Sequence, residues 1–428
     1  MMNITLQDRA ERTLALMRRQ GFDDAMVEAS ESRLVELNVA HDDPSLMRST
    51  QRHKIALLGL LDGRRASTEI SDFSSEAIEL AVAELLAAAR SAPQDSANAV
   101  SSGQQARIEQ GPLEADPEAM ADRMVELLAW RAEHTPSVTI EEGLVAHHRA
   151  DAHTVTSGGS ALACRLGWYE MLAMGTAREG DRSSSFNGAG GNCHALAGPA
   201  VAHGLGITGM FSELARQVHT QALSEGFVGD VVLTPPALES LLGWLLGQLG
   251  DIALISGTSL YRTQVGQGIA SPLLGLKSRF DAPGKAALSA DGFVAPPVEL
   301  LREGRLLALT PSLYGSRKTG LAHVPLASGG WEVAAGTTPR AAMIASVARG
   351  AVVGRLSMGN PASNGDFSGV IKNSFLVEDG VAGAALSEVM VSGNMAQMLR
   401  DVVAVSTERL DAGGTLLPWV RVSGLHFS

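Results

Sequence analysis

The strongest constraint on the fold lies in the second half of the chain, where short apolar runs alternate with turn residues. Beyond Gly257, runs of Val, Leu and Ile are broken again and again by Gly, Pro and Asn, a pattern typical of short β-strands joined by tight turns. The 46 glycines among 428 residues are a larger share than the ~7% of average proteins. This part of the chain is therefore predicted to be β-rich.

The first half mixes helical and strand patterns. Apolar spacing predicts helices over 6–20, 75–90 and 117–134. Thr5 is the predicted N-cap of the first helix and Gly21 its C-terminal stop, while Asp116 followed by Pro117 marks the start of the third. Strands are predicted over 34–40, 54–61, 64–71, 137–142, 144–156, 162–175 and 228–233.

These patterns predict an α+β fold. We expect an N-terminal α/β domain over 1–190 with helices on a mixed sheet, a connecting loop and helix over 191–228, and a β-rich C-terminal domain over 229–428. Two polar stretches, 91–112 and 178–192, are predicted as loops, the second long and mobile, and 211–224 is predicted as a helix ending at Gly226.

Charge and cysteine content limit the possible partners and location. The net charge of −12 disfavours direct binding to nucleic acid or to anionic membranes. Cys164 and Cys193 are the sole cysteines, which excludes a disulfide framework and indicates a reducing compartment. The apolar stretch 237–256 is interrupted by Glu239, Gln248 and Asp251, so a buried helix and strand are expected rather than a membrane span. A cytoplasmic location, with no visible secretory signal, is the expectation.

Histidine patterns give little support for a metallohydrolase. None of the eleven histidines is followed by Glu, so the helical signatures HExxH and HExxxH are absent. The densest cluster comprises His147, His148, Asp151 and His153, and a strand would place His147, Asp151 and His153 on one face. Such a face either holds a metal or is simply polar and solvated, and the second interpretation is favoured.

Three other motifs each have a functional and an ordinary interpretation. Cys193 beside His194 is either a thiolate nucleophile or an incidental cysteine. The glycines of 204–209 (GLGITG) match a dinucleotide-binding turn, or a turn and helix cap. The dense turn carrying Asn360, Asn364 and Asp366 is either a peptide-contact loop or a connection between strands. In each case the ordinary interpretation is favoured.

The C-terminal third contains a more specific series of sequence motifs. The segments are 364–369 (NGDFSG), 377–380 (VEDG), 387–389 (SEV) and 391–399 (VSGNMAQML). They resemble consecutive motifs of the TldD/PmbA family, and 157–159, 229–233 and 300–306 are similar to its upstream motifs in the same order. The resemblance covers nearly the whole chain.

The resemblance implies an α/β N-terminal domain, a β-rich C-terminal domain and dimer formation. Family members are known as modulators of DNA gyrase and as TldD/TldE-type zinc metalloproteases acting on peptides and unfolded polypeptides. The TldD branch carries HExxxH after the 229–233 strand motif and a Cys ligand near the C-terminus. If Glu239 matches the family glutamate, Leu238 and Gly243 stand where the two histidines would be, and no cysteine follows Cys193.

The chain therefore resembles the PmbA/TldE branch without the zinc motif. The leading hypothesis is a metal-free subunit with no catalytic, cofactor-binding or metal-binding residues of its own, and zinc is expected in a TldD-like partner. The partner is expected to form a heterodimer with this chain, the alternative being a homodimer, and the substrate is expected to be a peptide. A stand-alone hydrolase with an unrecognised site and a protein-binding module modulating DNA gyrase are the other two hypotheses.

Overall fold

The computed structural model describes residues 4–198, 200–280, 282–327 and 330–428. The first half is a sheet with helices. Its helices are α1 (Leu6–Gln20), α2 (Ser75–Ser91), α3 (Pro117–His134), α4 (Ala200–Gly204) and α5 (Ile207–Arg216). Its strands are β1 (Asp24–Ala40), β2 (Asp43–Leu61), β3 (Arg64–Ile70), β4 (Gln105–Gln110), β5 (Val138–Thr156), β6 (Ala161–Glu179), β7 (Arg182–Ser183) and β8 (Asn187–Cys193).

The sheet runs in the order β3-β2-β1-β5-β6-β4, and β7 and β8 also pair with β6. The β4–β6 pair is parallel, while β1, β2, β3 and β5 are joined by antiparallel pairs. Two residues of β1 pack on helices: Val27 joins a core with α1 and α2, and Val35 joins a core with α3 and α5. Because both positions have the same parity, the two helix groups cover opposite ends of one sheet face.

The second half is a larger sheet. Its helices are α6 (Pro235–Leu249), α7 (Asp251–Ser256), α8 (Leu313–Thr319), α9 (Arg340–Ala345) and α10 (Met395–Arg400). Its strands are β9 (Thr220–Gln221), β10 (Phe227–Leu233), β11 (Leu276–Ser278), β12 (Glu299–Arg302), β13 (Arg305–Leu306), β14 (Trp331–Val333), β15 (Arg349–Val353), β16 (Arg355–Met358), β17 (Asp366–Lys372), β18 (Phe375–Glu378), β19 (Val381–Leu386), β20 (Val389–Asn394), β21 (Val402–Asp411) and β22 (Thr415–Phe427).

The longest path through this sheet is β13-β12-β11-β14-β22-β10-β15-β18-β19-β9. Leu238, Leu241 and Leu245 of α6 are buried in one cluster with Val420 and Val422 of β22. Burial of such side chains contributes ~1.5–3 kcal/mol each, so the amphipathic pattern of α6 fixes it on this sheet. None of the helices in the described residues is both long and apolar enough to cross a bilayer.

The α+β prediction is confirmed, and the three N-terminal helices lie where they were expected. In α1 the Thr5 side chain accepts from the backbone N–H of Asp8, and Gly21 adopts φ 101° at the C-cap. The first sheet ends with β8 and the second begins with β9, and the division of the chain at residues 190 and 228 stays a prediction.

Three element predictions were wrong. The glycine-rich 178–192 is not a loop, because β8 pairs with β6 and Gly191 approaches Ala412 so closely that a Cβ there would lie 2.4 Å from its carbonyl oxygen. Within 91–112, β4 pairs with β6. The helix expected over 211–224 begins and ends earlier, as α5, and β9 pairs with β19 instead. In each case another strand supplied a partner that the local pattern did not indicate.

Candidate functional site

Helix α6 is the element on which the family resemblance places a zinc motif. Its start is fixed locally, since the Thr234 side chain accepts from the backbone N–H of Ala237 and Pro235 occupies the first turn. Leu238 is 1% exposed and belongs to the core. Glu239 is exposed and its Oε1 accepts from Thr415 Oγ1 at 2.7 Å. Gly243 is also exposed, and outside its chain neighbours and the backbone of its own helix no heavy atom of the described residues lies within 4 Å of a Cβ built there.

These residues do not fit a zinc ion. A catalytic zinc site takes about three nitrogen, sulfur or oxygen ligands from the protein, and Leu238 and Gly243 have no donor atom. Glu239 alone supplies a carboxylate. Cys164 and Cys193 lie on β6 and β8 of the first sheet. In the described part of the chain, no group of three or more His, Cys, Asp or Glu side chains is arranged to hold a metal.

The turn predicted as a peptide-contact loop lies against α6. Gln248 Nε2 donates to Ser363 O at 3.5 Å, and a Cβ on Gly365 would lie 3.1 Å from Trp244 Cζ2. Gly365 has φ 93°, a conformation that favours glycine. The loop is therefore packed directly on the helix that carries the motif positions.

Side chains in this loop bond mainly to one another. Asp366 accepts from Asn394 Nδ2 at 2.8 Å and from Asn364 Nδ2 at 2.7 Å, and these hydrogen bonds lower the pKa of Asp366. Asn394 also caps α10 by accepting from the Gln397 N–H at 3.1 Å. Asn360 is exposed. The network orders the connection to β17, and peptide contact by the loop stays a prediction.

The His147 cluster lies on β5, where Asp151 is an ion-pair centre. Arg149 Nε lies 2.8 Å from Asp151 Oδ2, and Arg165 Nε lies 2.6 Å from Oδ1. Both carboxylate oxygens thus form ion pairs with guanidinium groups. A metal ion would have to compete with these two arginines for the same oxygens. His153 is partly buried, and burial lowers its pKa, with Arg107 acting in the same direction.

The two adjacent histidines also have protein partners. His147 is 2% exposed and its Nε2 lies 2.8 Å from Pro112 O, and burial lowers its pKa. His148 Nε2 lies 2.8 Å from Glu170 Oε2, and its ring stacks on Trp168 with centroids 4.9 Å apart. Both rings therefore have partners within the chain, and His147 is buried rather than solvated.

Neither cysteine has the character of a nucleophile. Burial raises the pKa of Cys193 to about 11 and that of Cys164 to about 11, whereas catalytic thiols have a lowered pKa. The GLGITG segment also lacks its expected context, because helix α4 precedes it and Gly206 serves as the N-cap of α5 with φ 78°. A dinucleotide turn follows a strand.

The sequence patterns did not predict two cavities that the structure contains. One of about 280 Å³ lies between the two halves, where Met26, Leu58 and Arg65 face Asp291 and Tyr314. The other, of about 270 Å³, lies among α3, β6 and the α4–α5 segment. Neither set of residues is contiguous in sequence, so no motif could have indicated them.

The fold and the site together define a class: an α+β protein of two sheets in which helix α6 carries no histidine. Residues 228–428 match the family of the PmbA/TldA metallopeptidase C-terminal domain. This matched part, slightly under half of the chain, is a C-terminal domain of the PmbA/TldA type.

A curated relative is the metalloprotease PmbA of Escherichia coli O157:H7, which is 28% identical over 134 residues. That match covers 29% of this chain and 30% of the relative, so the aligned part spans less than a third of the relative's length.

Solved structures match over almost the full length. TldE from Thermococcus kodakarensis has a TM-score of 0.83 at 17% identity, covering 98% of this chain and 100% of that one. A candidate modulator of DNA gyrase from Bacteroides thetaiotaomicron has a TM-score of 0.83 at 18% identity, covering 100% of both chains. Another, from Thermotoga maritima, has a TM-score of 0.80 at 17% identity, covering 99% and 100%. At these identities the likeness is one of fold.

Proposed function

We propose that this chain is the non-catalytic subunit of a TldD/TldE-type complex that degrades peptides or unfolded polypeptides. The observation that carries the proposal is the side-chain chemistry of α6, where Leu238 and Gly243 stand at the motif positions and offer no ligand. In this proposal a TldD-like partner carrying HExxxH binds the zinc and activates water. This chain contributes interface surface and part of the enclosure around the substrate, and the complex is cytoplasmic.

Two further observations support the proposal. Glu239, the one motif residue retained, is hydrogen-bonded to Thr415, which gives its carboxylate a structural partner within the chain. The loop carrying Asn360, Asn364 and Asp366 packs on the same helix, and this supports a role for the loop in guiding the substrate.

The test is co-expression with an HExxxH-bearing paralogue from the same genome. We expect the two chains to elute together on size exclusion, and a denatured protein substrate to be cleaved by the pair but not by this chain alone. Replacing the glutamate of the partner's motif should abolish cleavage, whereas Glu239→Gln in this chain should leave it largely intact.

Two outcomes would overturn the proposal. Stoichiometric zinc in this chain purified alone, together with peptide cleavage, would show that it has a complete site. Cleavage by this chain alone that is lost in Cys193→Ala or His153→Ala would support the stand-alone hydrolase instead.

A further inference from the structure

The cavity beside α3 is lined by charged groups that lack a full set of partners. Arg123, Glu126, Trp130 and Glu133 lie along one side of α3, and Met171 of β6 lies across from them. Their spacing of three, four and seven residues places them on one face of the helix. The volume of about 270 Å³ is just below the ~300–1,000 Å³ of sites for drug-sized ligands, which suits a ligand the size of one amino acid.

Arg123 and Glu126 satisfy each other only in part. Arg123 Nη2 lies 2.7 Å from Glu126 Oε1. The Arg123 Nε–H donor and the Glu126 Oε2 acceptor are both buried and have no hydrogen-bond partner among the described residues. A buried polar atom without a partner is unfavourable, and where one persists an unseen ligand or water is a physical explanation.

The two unpartnered atoms need opposite kinds of hydrogen-bond partner. Arg123 Nε–H needs an acceptor, which a carboxylate supplies best, and Glu126 Oε2 needs a donor, which an ammonium supplies best. The cavity lining has one guanidinium and two carboxylates, because Glu133 adds a second carboxylate. This excess of negative charge also favours a ligand with a cationic group.

Apart from Thr208, the remaining lining residues are apolar. Met171, Leu127 and Ala202 line the cavity and are 1%, 2% and 7% exposed. An aliphatic side chain placed against them would be removed from water, a favourable transfer that scales with the apolar area buried.

From these observations we propose that the α3 cavity binds a free aliphatic α-amino acid as its zwitterion. The carboxylate accepts from Arg123, the ammonium donates to Glu126, and the side chain packs on Met171 and Leu127. The inference is independent of the proposed function, because it concerns binding by this chain alone.

The experiment is calorimetric titration of the purified chain with L-leucine and three analogues. Leucinamide lacks the carboxylate, N-acetyl-L-leucine lacks the ammonium, and leucyl-leucine keeps both charges but separates them by a peptide unit. We expect saturable binding of L-leucine, with each analogue weaker by about tenfold or more, since one charge-assisted hydrogen bond is lost or misplaced.

Variants test the assignment of residues. Arg123→Met and Glu126→Gln should each weaken L-leucine binding by about tenfold or more. Arg302→Met is the matched control, because Arg302 and Glu299 form an exposed pair with the same spacing of three residues, and it should leave binding unchanged. If Arg123→Met does not fold, the analogue series on the unaltered chain still decides.

Three results would overturn the proposal. They are no saturable binding of L-leucine at millimolar concentration, equal affinity for L-leucine and the analogues, and unchanged affinity in a folded Arg123→Met variant. Absence of L-leucine binding would mean that only water satisfies the unpartnered atoms of Arg123 and Glu126. Tight binding of leucyl-leucine would indicate that the cavity binds a peptide terminus instead of a free amino acid.

Discussion

The hydroxyl of Tyr314 on α8 donates to Asp95 Oδ2 at 2.8 Å, across 219 positions of sequence. Lys318 Nζ lies 2.7 Å from the same oxygen, and the N–H of Ala97 donates to Oδ1 at 3.0 Å. A neighbouring contact runs from Arg317 Nη1 to Asn98 O at 2.9 Å. One carboxylate in the loop after α2 thus connects the first half of the chain to the second.

This connection predicts a specific acid sensitivity. Hydrogen bonds from Lys318, Ala97 and Tyr314 lower the pKa of Asp95 from 3.8 to about 2. Because the folded pKa lies below the unfolded one, the carboxylate stabilises the fold above pH ~4, and this contribution is lost as pH falls toward 2. We expect Asp95→Asn to lower the free energy of unfolding at pH 7, and to make it fall less steeply between pH 4 and 2.

Urea unfolding at a series of pH values measures both quantities. Asp43→Asn, at an exposed position of β2, is the control and should follow the unaltered chain. Identical acid-side slopes for Asp95→Asn and the unaltered chain would contradict the prediction.

A second contact between the halves predicts intolerance of a single methyl group. A Cβ built on Gly284 would lie 2.6 Å from Trp168 Cδ2, and Gly284 has φ 71°. Gly284→Ala therefore combines a left-handed backbone, costing ~1–2 kcal/mol, with overpacking, costing ~1–3 kcal/mol. Gly257→Ala isolates the first effect, because Gly257 has φ 75° and none of the described residues comes within 4 Å of its Cβ position.

The difference between the two variants in urea unfolding at pH 7 measures the Trp168 contact. We expect Gly284→Ala to be the less stable by ~1–3 kcal/mol, and Trp168→Ala to remove that difference in the double variant. Equal stability of Gly284→Ala and Gly257→Ala would show that the Trp168 side chain moves away from the added methyl group without a cost in stability.

Thiol reactivity separates the nucleophile hypothesis from the ordinary one. Burial raises the pKa of Cys193 to about 11, against 9.0 for a free thiol, so at pH 8 its thiolate fraction is ~100-fold below that of a free thiol. We expect slow alkylation of Cys193 by iodoacetamide in the folded chain and rapid alkylation in urea, followed by mass spectrometry. Cys164, with a pKa raised to about 11, is an internal comparison. Faster labelling of Cys193 in the folded chain than in urea would contradict the prediction.

Introducing histidines at positions 238 and 243 tests the conclusion that α6 cannot form a zinc site. Leu238→His places a polar ring at a position that is 1% exposed, and should cost ~3 kcal/mol or more. Gly243→His, on the exposed side, should change stability by less than ~1 kcal/mol. The double variant should not retain stoichiometric zinc after dialysis, because a third protein ligand is still missing. Elemental analysis measures the zinc, and retention at one equivalent would show that a third ligand exists nearby.

Elements with strong local signals could be predicted from the sequence. The capping residues Thr5 and Asp116 and the stop at Gly21 act within one helical turn, so α1 and α3 were placed closely. The polar character of the β5 face around Asp151 was also accessible, because side-chain parity along a strand follows from sequence alone.

Elements defined by their partners could not be predicted. The glycines of β8 indicated a loop, and they are tolerated in a strand because β6 pairs along β8 and Ala412 approaches closely. The short β9 exists through two paired positions on β19. Pairing energy of this kind depends on the partner strand, which lies 12 to 24 residues away for β8 and 165 residues away for β9, and not on the segment's own residues.

The sequence by itself determined which chemistry is possible: Leu238 and Gly243 have no ligand atoms in any conformation, and no thiol follows Cys193. The tertiary structure alone decided which groups meet, including Asp95 with Tyr314 and the half-satisfied Arg123 and Glu126 around one cavity. The physical reason is that donor atoms belong to the covalent structure of each residue, whereas burial and partnership arise only when distant segments pack together.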